Sequence, residues 1–139
     1  MTANTCPQLD QIHALLAQHG YQISETSPSA LRVQEVESGV AVQAVLVGEI
    51  VFFSLACTVV AESAITPEIM RRMLAADNGI STSYFQLYPA AGGKTAITLN
   101  NFCKLQAMGA EDEDDILSSV HFLLADVMAA RRMLADMKA

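Results

Sequence analysis

The chain has 139 residues and a formal charge of −7, from fifteen acids against eight Lys and Arg. It is the size of one domain, half of it is apolar, which argues against disorder, and its charge repels phosphate backbones and anionic lipid. A nucleic-acid binder is thereby disfavoured. Five acids form one run, Glu111-Asp112-Glu113-Asp114-Asp115, so the remaining surface is close to balanced.

In chain order, Leu9, Ile12, Leu15 and Leu16, with His19, recur at helical spacing after Pro7, and Gly20 stands where such a helix stops. Residues 21–25 read as a short extended piece and Thr26-Ser27-Pro28-Ser29 as a turn cluster. Leu31 alternating with Val33 predicts a first strand running to about residue 36, which Glu37-Ser38-Gly39 turns into the next segment.

Residues 40–61, VAVQAVLVGEIVFFSLACTVVA, admit two structures: a membrane span or a buried hairpin. A carboxylate in the middle of a span costs about 2.5–3.5 kcal/mol, and no Lys or Arg between Arg32 and Arg71 would orient one. Gly48 as the first of two loop residues suits a type II′ turn, because glycine takes that positive φ without penalty. The hairpin sets Val47 opposite Ile50, Leu46 opposite Val51, Val45 opposite Phe52, Ala44 opposite Phe53 and Val42 opposite Leu55. One face is then Val40, Val42, Ala44, Leu46, Val51, Phe53, Leu55 and Cys57. The other carries Ala41, Gln43, Ser54 and Ala56, with Val45, Val47, Ile50 and Phe52 clustered toward the turn. That cluster is either covered by a helix or the first strand, or used as a partner or dimer contact.

Thr66-Pro67-Glu68 starts a second helix, with a capping hydroxyl, proline in the first turn and an acid at the positive end. Ile69, Met70, Met73 and Leu74 form its apolar stripe and Asn78-Gly79 ends it. In SYFQLYPAAGGKTAITLNNF a three-residue loop, Ala91-Gly92-Gly93, sets Leu87 opposite Ile97 and Phe85 opposite Leu99. These four share one face, with Tyr84, Gln86, Thr98 and Asn100 on the other. A third helix is predicted over residues 112–137, where Ile116, Val120, Leu123, Val127, Ala130, Leu134 and Met137 alternate at four-three spacing. Its acids lie at the positive end and Arg131, Arg132 and Lys138 at the negative end. Met70, Met73, Met128, Met133 and Met137 are core fillers or adaptable apolar contacts. The short links predict one α+β domain over residues 1–139, an antiparallel five-stranded sheet with three helices in the order α-β-β-β-α-β-β-α.

No motif in the chain carries chemistry. Gly92-Gly93-Lys94-Thr95 ends like a phosphate-binding loop, but Tyr88 occupies the position of the earlier glycine and a strand pattern follows where a helix is needed. His13, His19 and His121 lack a second ligand at one-turn spacing, and the acidic run lacks the D-x-D-x-D-G order of a Ca²⁺ loop. Ser54, Ser81, Ser83, Ser118 and Ser119 sit in no nucleophile elbow, and Cys103 has no setting that lowers its pKa. Cys6, Cys57 and Cys103 do not form a disulfide frame, and the first thirteen residues lack a secretory signal pattern. The expectation is a cytoplasmic protein with no cofactor, no metal and no catalytic residue.

A small acidic chain with this order of elements and a long final helix resembles the type III secretion chaperone fold, shared by YbjN-like (Tir-chaperone-like) bacterial proteins. The resemblance covers the chain from about Pro7 to Met137. It implies a homodimer through the middle helix and neighbouring strands, here Ile69, Met73 and Leu74. It also implies an apolar surface on the first three strands that takes an extended client segment, here Val33, Val45 and Phe52. Combined with the apolar cluster, the expected partner site is Val33, Val45, Val47, Ile50 and Phe52. The expected function is a non-enzymatic, homodimeric protein-binding module of chaperone or adaptor type. The alternatives are a regulatory or structural dimer without a client, and a small-molecule binder with a deep pocket near Tyr84, Tyr88 or His121.

Overall fold

The computed structural model describes residues 7–80 and 82–135; the expectations placed on Cys6, Ser81, Met137 and Lys138 lie outside the described residues. The elements are α1 (Pro7–Gln18), β1 (Gln22–Ser27), β2 (Ala30–Gln34), β3 (Ala41–Val47), β4 (Ile50–Ala61), α2 (Pro67–Leu74), β5 (Tyr84–Ala90), β6 (Lys94–Lys104) and α3 (Ala110–Met133). Short 3-10 turns occupy Glu62–Ala64 and Ala91–Gly93. The fold is α+β, with one sheet in the order β1-β2-β3-β4-β6-β5. The ladders β1-β2, β2-β3, β3-β4 and β5-β6 are all antiparallel.

The sheet has six strands where five were predicted, and the additional one is β1. Its sequence, QISETS, has Ile23 as its one apolar residue and so shows no alternation. It is a strand because β2 offers it a ladder, with Ile23 opposite Val33 and Ser24 opposite Arg32. Pairing, not intrinsic pattern, decides such an edge.

Residues fall into two compact units, those up to 54 with 102–121, and 55–101 with those from 122 onward. In the first unit, α1 stops in a Schellman arrangement: Gly20 N–H donates to Ala17 O, Tyr21 N–H donates to Leu16 O, and Gly20 has φ +90°. The β3-β4 register is the predicted one, from Val47 opposite Ile50 to Ala44 opposite Phe53. Gly48 has φ +61°, and Ala107 and Met108 are the only non-glycine residues of positive φ among the described residues, so Glu49 completes the type II′ pattern. On the ladder between β2 and β3, Leu31 is opposite Ala44 and Val33 opposite Val42. These four are buried together with Leu46, Val51 and Phe53, and so are Ile12 and Leu16 of α1 and Ile116 and Val120 of α3. Full burial of each large aliphatic or aromatic side chain contributes about 1.5–3 kcal/mol.

α3 begins two residues before the predicted start. Asp112 is buried, not solvated with the rest of the acidic run, and its Oδ2 accepts from Gln106 N–H at 2.6 Å. This bond closes the loop from β6, in which Ala107 and Met108 take φ +59° and +55°.

In the second unit, Thr66 Oγ1 accepts from Ile69 N–H at 3.2 Å with Pro67 opening α2, as the sequence predicts. Glu68 pairs with Arg72 at 2.9 Å, and Asn78 Nδ2 donates to Met73 O at 2.6 Å where the helix ends. On the β5-β6 ladder Leu87 is opposite Ile97 and Phe85 opposite Leu99, again as predicted. The expected division into apolar and polar faces holds only in part. Ile97 and Leu99 are buried, but so are Thr98 and Asn100, while Leu87 is exposed. The polar pair is satisfied internally, Asn100 Nδ2 donating to Thr98 Oγ1 at 2.8 Å. Leu123, Val127, Ala130 and Leu134 are buried as their spacing predicts. No helix among the described residues is long and apolar enough to cross a membrane, and residues 41–61 form β3, its turn and β4.

Backbone strain gives an opposed pair of expectations. Gly48→Ala places a Cβ on a left-handed residue and lowers stability by about 1–2 kcal/mol. Ala107→Gly relieves such a residue and raises stability by about 0.5 kcal/mol, net of the added freedom of the unfolded chain. Urea midpoints at unchanged m-value check both.

Candidate functional site

Strand alternation sends every second residue of the first unit away from its core. The outer face so formed has Arg32 on β2, Gln43, Val45 and Val47 on β3, Ile50, Phe52 and Ser54 on β4, and Phe102 and Lys104 on β6. Val45 opposite Phe52 and Val47 opposite Ile50 are successive rungs. The Phe102 ring lies with its centroid 6.0 Å from that of Phe52, tilted by 48°. Tilted aromatic pairs at this distance contribute about 0.5–1.5 kcal/mol beyond their burial.

This cluster is open to solvent: Val47 is 60% exposed, Phe52 40% and Phe102 55%, with Val45 and Ile50 half-buried. Its polar border is ordered. Gln43 Nε2 donates to Thr26 Oγ1 at 3.3 Å and Arg32 Nη1 donates to Gln34 Oε1 at 3.0 Å.

Of the residues expected on this surface, Val45, Val47, Ile50 and Phe52 come together. Val33 does not join them, because its register opposite Val42 puts it in the core at 1% exposure. Phe102 was absent from the expectation. Its membership depends on β6 lying beside β4, an adjacency no local pattern encodes.

In the second unit, the residues expected to meet a second copy divide. Ile69 and Met73 are buried and anchor α2, while Leu74 is 80% exposed and Met70 also reaches the surface. Beside them an open cleft of about 520 Å³ is lined by Ile65, Met70, Leu87, Tyr88 and Pro89, with Glu62 and Lys94 on its walls.

Neither of the two thiols among the described residues is activated as a nucleophile. Burial pushes the Cys57 thiol up to about 11, against a partial opposing pull from the Arg131 guanidinium. Burial likewise pushes Cys103 up to about 11, with the Asp115 carboxylate adding to it and a hydrogen bond with Ser119 opposing. Asp126 is buried and accepts from Ser83 Oγ at 2.9 Å, a structural tie within the second unit. Among the described residues no cluster of His, Cys, Asp and Glu could hold a metal ion.

No family model matches the chain, and no curated protein matches it. Among solved structures it is similar to YbjN from E. coli, a candidate transcription regulator, at TM-score 0.68 and 15% identity over 91% of both chains. It is also similar, at TM-score 0.55 and 14% identity, to the SpcU chaperone in the heterodimeric ExoU-SpcU complex from the type III secretion system of Pseudomonas aeruginosa. That match covers 86% of this chain and 94% of the other. The chain therefore has the YbjN-like, type III secretion chaperone-like fold.

The thiols give a pH dependence with a definite sign. Their folded values lie near 11 against 9.0 for an ordinary thiol, so above pH 9 the native state retains protons that the unfolded chain releases. Stability from the two neutral thiols is complete below pH 9 and falls as pH rises toward 11. Urea midpoints at pH 8 and 10.5 should drop more for wild type than for the Cys57→Ala/Cys103→Ala double variant.

Proposed function

We propose that the chain is a non-enzymatic protein-binding module of chaperone or adaptor type, acting as a homodimer and taking a partner segment on the outer face of its first unit. The observation that carries this reading is the exposed cluster of Val45, Val47, Ile50, Phe52 and Phe102 on a sheet whose reverse face is buried. Contiguous apolar surface with aromatic anchors and a polar border is the composition of a protein contact. SpcU, which shares the fold, is a chaperone in complex with ExoU, and this supports a protein partner over a catalytic role.

The second copy is assigned to α2 and β5. Leu74 and Met70, beside Leu87 and Tyr88, offer a separate apolar surface in the other unit, and the buried Ile69 and Met73 hold α2 in place for it. Because the two surfaces use different residues, partner binding and dimerisation are separable.

Light scattering and fluorescence anisotropy with a labelled library of apolar peptides test both assignments. Phe52→Asp should keep the dimer mass and weaken peptide binding at least about tenfold, the range of an anchor truncation. Leu74→Asp should shift the mass toward a monomer and leave a folded chain by circular dichroism. If Phe52→Asp splits the dimer instead, the outer face is the dimer contact and the chain is a structural or regulatory dimer without a client.

A further inference from the structure

Charge sets the strands apart from the rest of this acidic chain. The whole carries −7, yet β2, β3, β4 and β6 contain Arg32, Lys94 and Lys104 and not one Asp or Glu. Two of these cations lie on the outer face of the first unit. Arg32 is opposite Gln43, two residues before Val45 on the same side of β3. Lys104 follows Phe102 by two residues on the same side of β6, next to Leu105, whose N–H donates to Glu49 O at 2.6 Å. The apolar cluster thus lies between a guanidinium on β2 and an ammonium on β6, both exposed and neither in an ion pair among the described residues.

The acids that dominate the net charge are elsewhere. The run Glu111 to Asp115 opens α3, and Ser119 of that helix hydrogen-bonds Cys103, which points opposite to Phe102 on β6. The run therefore lies across the sheet from the cluster. At physiological ionic strength the Debye length is about 8 Å, and packed layers are spaced by about 10 Å. The field felt by a ligand on the outer face is set by Arg32 and Lys104 before it is set by the net charge. Glu49 in the β3-β4 turn is the one carboxylate adjoining this face along the hairpin.

We infer that the segment taken by the outer face is an acidic amphipathic peptide, with two or three apolar side chains for the Val45, Phe52 and Phe102 cluster, flanked by Asp or Glu that meet Arg32 and Lys104. The inference rests on the outer face being the partner site. The aromatic anchors supply the affinity, and the two cations supply the charge preference and the register.

Two labelled peptides with one apolar core, flanked by Asp in the first and by Lys in the second, test it by anisotropy against the full chain. Wild type should bind the Asp-flanked peptide about tenfold more tightly, a preference of about 1.4 kcal/mol shared between two exposed ion pairs. Added salt should shrink that preference, and Arg32→Glu/Lys104→Glu should reverse it. Phe52→Asp should abolish binding of both peptides. Equal binding, a preference for Lys, or a preference unmoved by the double reversal overturns the charge inference alone, provided Phe52→Asp still abolishes binding. If neither peptide binds, or if Phe52→Asp leaves binding intact, the outer face is not the partner site and both readings fall.

Discussion

Between β3 and β4 the chain has two residues, Gly48 and Glu49, in which to reverse direction, and the register that follows decides which of two apolar faces becomes core. Hydrophobic pattern alone does not decide it near the turn. Val45, Val47, Ile50 and Phe52 stand on one side, and Ala44, Leu46, Val51 and Phe53 on the other. A slip of one residue would exchange the two sets. The slip would also need a loop of different length, without glycine at its left-handed position, at a cost of about 1–2 kcal/mol. Burial of Phe53, Val51 and Leu46 then contributes more than the turn does, so the turn selects the face and the core stabilises the choice.

That selection propagates through neighbouring strands. With Ala44 and Val42 inward, β2 must present Leu31 and Val33 inward to stay on the ladder, and Arg32 goes out. Arg32 and Gln43 consequently border the apolar cluster, and the side chains around that surface follow from a register set at the far end of the hairpin. β6 contributes in the same way, since the parity that sends Cys103 toward Ser119 sends Phe102 toward Phe52.

Much of this was legible because it is local. Gly20, Gly48 and Thr66-Pro67 each fix a helix end or a turn through the chemistry of one or two residues, and the structure places all of them as the sequence indicates. Both hairpin registers were readable once the loop lengths were chosen. What escaped was non-local. β1 is polar and owes its strand to β2, and Asp112 is drawn inward by a backbone amide six residues earlier. Phe102 joins the surface through a neighbour strand fifty residues away in sequence. Val33 is a different case: Leu31, two residues before it, already implied its inward parity, and the resemblance alone placed it on the client surface.

Two solved structures of similar fold come from different settings, one a candidate transcription regulator and one the heterodimeric ExoU-SpcU complex of a secretion system. A similar fold at about 15% identity is compatible with wide exchange of core residues, because a core tolerates hydrophobic exchange at nearly constant volume. The outer face is under no such constraint. Its residues can change without unfolding the sheet. In this chain that face combines two aromatic rings, three aliphatic side chains and two flanking cations in strands without a carboxylate. Such a composition departs from the acidity of the whole. Solubility asks only that a surface be charged, whereas an apolar cluster bordered by charges of one sign distinguishes between partners, because a like-charged segment would lose the contact and gain repulsion.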